Sequence, residues 1–236
     1  MNEVKLSKRL EEVVREIPVG STVADIGSDH AYLPCYTIIN NIATKAVAGE
    51  VVDGPFRSAQ ATVAESGLQD KVDVRKGNGL AVIAPGEVDV ITVAGMGGAL
   101  IRDILESGKE KLEGVTRLIL QPNIAAHHIR EWFIANGWEL IHEKIVKEDG
   151  KIYEILVGER GNITVPYSEN KQAELFMGPF LMKEKSEAFV EKWEGELKNF
   201  QNILKQLERA ADSEETKAKR AEVEAKMKMI GRFYHE

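Results

Sequence analysis

An α/β fold is predicted for this chain: a mostly parallel, Rossmann-like sheet with an antiparallel last strand, followed by a C-terminal α-helical, coiled-coil-like hairpin. Three observations carry that prediction. From Thr22 to Gly158, short β-type runs alternate with stretches of helical length and pattern, which builds a parallel sheet with helices on both faces. Near its end, two β-type runs are separated only by a polar stretch holding Asp149-Gly150, a hairpin-turn pair. Beyond Gly161 the apolar residues step by three and four, a heptad seam.

The chain opens on "LSKRLEEVVREI", where Leu6, Leu10, Val13, Val14 and Ile17 form the stripe of an amphipathic helix that can lie on the sheet. Lys5, Lys8, Arg9 and Arg15 fall mainly off that stripe; a solvated face accounts for them by default, contact with a polyanionic substrate more sharply. The strands follow as "TVADIG", "KAVAGEV", "KVDVRKG", "VDVITVAG" and "TRLILQP", with "GPFRSAQATVAESGL" and "GALIRDILESG" among the helices between them. "WELIHEKIV" and "KIYEILVG" then form the closing antiparallel pair. After the linker "GNITVPYSENKQ", the first seam runs through Val190, Trp193, Leu197, Phe200, Leu204, Leu207 and Ala211. A weaker one runs through Val223, Met227, Ile230 and Tyr234, and Asp212 with Glu215 resembles a capping box between them. The expected domains are therefore 1–160 and 161–236.

Composition narrows the function classes. Of 236 residues, 43% are hydrophobic and 29% charged, the balance of a soluble globular protein. No apolar run approaches the roughly 18 residues that cross a bilayer, and the charged N-terminus lacks a secretory pattern, so a cytoplasmic protein without membrane contact is expected. The single cysteine, Cys35, reads as a small buried hydrophobe in a reducing compartment. A net charge of −7 argues against indiscriminate nucleic-acid binding, although residues 161–236 carry 13 Lys and Arg against 14 Asp and Glu. His127 and His128 have no partner at metal-ligand spacing, so no metal is expected.

Open parallel sheets bind ligands beyond the C-terminal ends of their strands. The loops at that end read "DIGSDHAYLP", "GEVVDGPF", "KGNGL" and "AGMGG". A dinucleotide would need three glycines around its pyrophosphate, whereas Gly27 is followed by Ser28, Asp29 and His30. A carboxylate beside a phosphate is repulsive in a shielded site. S-adenosylmethionine suits the acids: it has no phosphate, and it carries a sulfonium and an amino group. Asp25 would hold the amino group, directly or through water, while Gly27 and Ser28 let backbone approach the methionine. Glu50, 23 residues after Gly27, would reach the ribose hydroxyls beside Val51. Asn78 and Gly79 would read the adenine edge, and Ala94, Gly95 and Met96 would complete the cofactor site.

With those residues in view, "LSKRLEEVVREIPVGSTVADIGSDHAYLP", "AGMGG" and "LQPN" are similar to the bacterial tRNA (adenine(22)-N(1))-methyltransferases of the TrmK type, over almost the whole chain. The resemblance implies a class I methyltransferase sheet and methyl transfer to N1 of an adenine in the D-arm region of tRNA, by direct attack of N1 on the sulfonium methyl. The absence of an Asn/Asp-Pro-Pro-aromatic motif after the fourth strand removes the usual tool of exocyclic amino-group chemistry. Ring N1 has an in-plane lone pair and needs placement more than a base. Asp29 is the candidate to stabilise charge on the alkylated base, a helix N-cap being its alternative role. His30 would accept a proton or hydrogen-bond to the base, or simply shape the turn. A flipped base needs a stacking surface and room. Tyr32 and Met96 would supply the first, glycines 95, 97 and 98 the second, and Gln121, Pro122 and Asn123 the polar edge.

The hairpin would bind tRNA through one cationic face, or else serve dimerisation; a monomer or weak dimer is expected. Two rival readings are a methyltransferase for a protein or small molecule, and a non-enzymatic RNA-binding protein that retains the fold.

Overall fold

A computed structural model of the protein describes residues 2–209, 211 and 213–235. The chain divides into two compact units, Met1–Glu169 and Asn170–Glu236, nine residues beyond the boundary expected at 160/161. The segment after the last strand is pinned to the first unit, where the Asn162 N–H donates to Glu139 at 2.8 Å.

The first unit is built on seven strands: β1 (Ser21–Ile26), β2 (Ala43–Glu50), β3 (Val72–Lys76), β4 (Val90–Gly97), β5 (Arg117–Ile124), β6 (Trp138–Glu148) and β7 (Lys151–Arg160). Their order is β3-β2-β1-β4-β5-β7-β6. The first five are mutually parallel, while β7 inserts antiparallel between β5 and β6. Asp149 and Gly150 join β6 to β7 with φ of 50° and 73°, the positive pair of a type I′ turn. The central strands carry continuous buried runs, Val23–Ile26, Val90–Val93 and Leu118–Pro122, as a sheet covered on both faces requires.

The predicted N-terminal helix is α1 (Lys8–Arg15), capped by the Ser7 hydroxyl, with Val13, Val14 and the flanking Leu6 and Ile17 buried. It is followed by α2 (Tyr32–Ile39), α3 (Asp53–Glu65), α4 (Gly98–Ser107) and α5 (His127–Ala135). Cys35 is buried in α2, and burial pushes its thiol up to about 11, which keeps it protonated near neutral pH. From α5, Arg130 lies fully buried between Glu143 of β6 and Glu154 of β7.

The second unit holds α6 (Lys171–Met177), α7 (Pro179–Glu184), α8 (Glu187–Leu207) and α9 (Glu214–His235). The short α6 and α7 were not expected; the seven- and six-residue pieces are too brief to show a period. The hairpin is antiparallel, because Phe189 near the start of α8 meets Phe233 near the end of α9, ring centroids 5.3 Å apart. The first seam differs in register: Phe189 and Trp193 are the buried residues of α8, Val190 is only half-buried, and Ala211 is exposed. A phenylalanine fills more of an aromatic cluster than a valine, and Trp193 touches both Phe176 and Phe189. Val223 and Ile230 of the second seam are buried. The expected capping role of Asp212 lies outside the described residues, as does the Tyr234 side chain; the Ser213 hydroxyl accepts the Thr216 N–H at 3.1 Å.

Candidate active site

Strand order reverses between β1 and β4, and there the C-terminal strand ends converge. The turn after β1 hangs on β2: the Gly27 and Ser28 N–H groups donate to the Gly49 carbonyl at 2.9 and 3.2 Å. One residue on, the Asp29 N–H donates to the Glu50 carboxylate. Gly27 has φ of +72°, and a Cβ on it would lie 2.1 Å from Met96 Cε, so only glycine lets that thioether cover the turn. Asp29 and Ala31 also lie in the left-handed region, at 58° and 56°.

Asp25 is 5% exposed at the end of β1. Its two oxygens accept the Ser28 and Thr92 hydroxyls, each at 2.6 Å. Thr92, a buried β4 residue, was not anticipated because a threonine inside a β-type run carries no functional signature. Burial pushes the Asp25 carboxyl above the usual range, against the pull of the two hydroxyl bonds. Glu50 is likewise buried and raised, chiefly by loss of water, with the Asp29 N–H bond opposing. Two carboxylates short of solvent in one crook favour a cationic ligand and disfavour a diphosphate.

The third loop joins through Gly77, whose N–H donates to the Glu50 carbonyl at 2.8 Å. Asn78 is exposed there, and Gly79, with φ of +55°, begins a 3₁₀ turn over Gly79–Val82. Asn78, Gly79, Leu80 and Ala81 line a hollow of about 220 Å³ with Leu100 and Ile104 of α4. Val51 stands 56% exposed beside Glu50, an apolar surface in place for a ring.

"AGMGG" and "QPN" extend their strands instead of following them: β4 runs to Gly97 and β5 to Ile124, with register breaks around Met96. Side chains replace the regular ladder. The Gln121 Oε1 accepts the Gly95 N–H at 3.0 Å, and the Asn123 amide donates to the Gly95 carbonyl at 2.7 Å. Gln121 is fully buried and also donates to the Pro122 carbonyl, and Pro122 is itself buried. These two support the strand end from behind, whereas Asn123 is exposed. The room assigned to Gly98 is corrected: a Cβ there would lie 2.1 Å from the Ala125 carbonyl oxygen, so its glycine serves packing of α4 against the β5–α5 connection. Ala94 and Gly97 remain half-buried and Gly95 exposed at the same end.

Asp29 does not cap α2. The N-cap is Ala31, with no side-chain bond, and the Asp29 carboxylate is exposed, 3.7 Å from His30 Nε2. The His30 ring stacks on Tyr32 with centroids 5.0 Å apart and planes 10° from parallel. Arg9, read from sequence as a surface cation, is half-buried instead. Its guanidinium donates to Gln121 Oε1 and sits 5.3 Å over the Tyr153 ring. His127 and His128 pair ring to ring at the start of α5. Among the described residues no group of three or more His, Cys, Asp or Glu could hold a metal ion, and no helix is long and apolar enough to cross a membrane.

Residues 23–232 match the family model described as tRNA (adenine(22)-N(1))-methyltransferase, TrmK. The Bacillus subtilis (strain 168) tRNA (adenine(22)-N(1))-methyltransferase is 53% identical over 231 residues, spanning 98% of this chain and 97% of that protein. The crystal structure of the B. subtilis M1A22 tRNA methyltransferase TrmK superposes with a TM-score of 0.92 at 52% identity, covering 98% of this chain and 99% of that one. Streptococcus pneumoniae Sp1610, solved in complex with S-adenosyl-L-methionine, gives 0.85 at 40% identity, over 97% of this chain and 99% of its own. A match that runs from the acidic turn through both long helices of the second unit is a match of the whole architecture, and the chain belongs to the tRNA (adenine(22)-N(1))-methyltransferase family.

Proposed function

We propose that this protein methylates N1 of adenine 22, in the D-arm region of tRNA, with S-adenosylmethionine as donor. The observation that carries the reading is the buried, solvent-starved pair Asp25 and Glu50 at the strand-order switch, in a chain that aligns end to end with the B. subtilis enzyme. When bound, S-adenosylmethionine supplies an electrophilic methyl group that the adenine N1 lone pair displaces from sulfur. Asp25, Gly27 and Ser28 would hold its methionine end with Ala94, Gly95 and Met96. Glu50 and Val51 would take the ribose, and Asn78 and Gly79 the adenine. The donor set fits: the buried Asp25 suits the ammonium, and the Gly27, Ser28 and Asp29 N–H groups of the turn are bonded to Gly49 and Glu50, where a phosphate site would present them to its ligand.

Asp29 is placed in the turn with an exposed carboxylate, suited to stabilise the positive charge that N1-alkylation leaves on the base. The stacked His30 and Tyr32 offer a platform for the flipped adenine, with Gly97 giving room and Asn123 an edge partner. Gln121 and Pro122 hold that edge in place. Incubation of unmodified tRNA with labelled S-adenosylmethionine, followed by digestion and mass spectrometry, should yield 1-methyladenosine. Asp29→Ala should slow the reaction on the order of a hundredfold. A different modified nucleoside, or a wild-type rate in the variant, would refute the respective assignment.

The second unit would bind the tRNA backbone. Lys198 and Lys205, seven residues apart on α8, and Arg209 in the turn just beyond its end are all exposed, as is Asn202 between the two lysines. Replacing all three with Gln should weaken tRNA binding and flatten its salt dependence by about two to three units of slope, with S-adenosylhomocysteine affinity unchanged. Equal salt slopes in the two proteins would assign these cations to solvent. The working form is a cytoplasmic monomer or weak dimer.

A further inference from the structure

We infer that Ile124 is the wedge that enters the tRNA stack where the target adenine leaves it, an inference that rests on the proposed methylation of N1. Ring N1 lies on the edge of adenine that makes Watson–Crick pairs, so a paired adenine must swing out before the methyl group can reach it. The gap it leaves exposes the neighbouring bases, and proteins that prise base steps apart fill such gaps with a protruding apolar side chain.

Ile124 has the chemistry, the place and the mounting for that task. Large apolar side chains standing in solvent gather at the ligand end of the sheet: Val51 and Val52 after β2, Leu100 in the first turn of α4, and Ile124 at the end of β5. Val51 adjoins Glu50 and Leu100 lines the hollow beside Asn78, so the expected cofactor accounts for both; Val52 is the N-cap residue of α3. Ile124 is the most exposed of the four, at 72%, and β5 lies beyond β4, away from the strands that carry the cofactor residues Asp25 and Glu50. It pairs in register with Gly97, and a Cβ built on Gly97 would lie 3.8 Å from Ile124 Cγ1, so the side chain borders the room assigned to the adenine.

The mounting is stiff. On one side the Asn123 amide donates to the Gly95 carbonyl at 2.7 Å. On the other, Ala125 turns the chain through the left-handed region at φ of 57°, and its carbonyl accepts the His128 N–H at 3.2 Å. That corner depends on glycine at 98, where a Cβ would meet the Ala125 and Ile124 carbonyl oxygens at 2.1 and 3.1 Å. A residue with a side chain takes the left-handed conformation only against its preference, so the surrounding contacts fix the corner. A β-branched side chain also has little rotamer freedom to lose on insertion. An isoleucine shown to water on so fixed a corner adds nothing to the core; between two bases it would be buried on both faces.

The test measures single-turnover methylation by the full chain on two tRNAs, one unaltered and one with a mismatch opposite adenine 22, which leaves that base unpaired. Ile124→Ala should slow the unaltered tRNA by about ten- to a hundredfold, the worth of burying an isoleucine side chain. The mismatched tRNA, whose adenine is already loose, should lose no more than about threefold. Ile124→Met, apolar and of similar volume, should keep most of the rate on both, and S-adenosylhomocysteine affinity should be unchanged in either variant. Equal slowing of both tRNAs would make Ile124 a support of the site and overturn the inference. So would a wild-type rate of Ile124→Ala on the unaltered tRNA. Absence of 1-methyladenosine from both tRNAs with the unaltered protein would instead sink the proposed function, and the wedge with it.

Discussion

Arg130→Met, with both glutamates left in place, is expected to lower the unfolding free energy by about 3–5 kcal/mol. Arg130 is 0% exposed on α5, its Nε 2.7 Å from Glu143, and its Nη2 bonded to Glu154. Burial alone would depress its charge; the two glutamates more than reverse this and hold it protonated. Removing the cation leaves two carboxylates facing each other without water, across the strands that close the sheet. Replacing all three residues by apolar ones of similar volume should be nearly neutral, because the triad's own attraction only offsets its desolvation. Urea titration followed by the fluorescence of Trp132 and Trp138, both buried in the same unit, reads the difference. A loss below about 1 kcal/mol in the single variant would show that water reaches the glutamates.

Asp25→Asn should abolish measurable cofactor binding, since it removes the buried charge that faces the ammonium and disturbs the acceptors of Ser28 and Thr92. The same carboxylate makes binding pH-dependent. In the free protein Asp25 and Glu50 lie above the ordinary carboxylate range because burial opposes their charged forms. A bound ammonium favours the charged form of Asp25, and ribose hydroxyls donating to Glu50 favour its charged form, so binding lowers both. Affinity for S-adenosylhomocysteine is therefore complete above the raised values, and is lost as pH falls through them toward those of the complex. Calorimetry between about pH 4 and 7 should show weakening on the acid side, with protons released from the protein on binding. A flat profile, or tightening in acid, would mean that Asp25 does not touch the ammonium and that Glu50 does not touch the ribose.

Much of this was legible in the sequence because it rests on short-range rules. Alternation of β runs with helices, the Asp149-Gly150 turn and the apolar stripe of α1 each follow from local geometry. The cofactor class was legible from four loops taken together: the acids Asp25 and Glu50, the glycines missing after Gly27, and Asn78. What escaped was set by tertiary contact. Arg9 lies off the apolar stripe of its helix and so reads as a surface cation; only the fold brings Gln121 and Tyr153 against it. Gly98 looks like spare room until Ala125 is seen to fill it. The ends of β4 and β5 were read as loops from their Gly and Pro, yet Gln121 and Asn123 bond to Gly95 and carry the strands further. In the hairpin, spacing alone favoured Val190, and the aromatic cluster drew in Phe189.

Two side-chain-bearing residues in one crook, Asp29 and Ala31, hold a backbone conformation that costs each of them on the order of 1 kcal/mol. The bonds to Gly49 and Glu50 keep that tension in place from the neighbouring strand. The receptor is thus set like a drawn spring before its guest appears. Entry need freeze little of the loop, and the entropy bill of capture falls mainly on the guest.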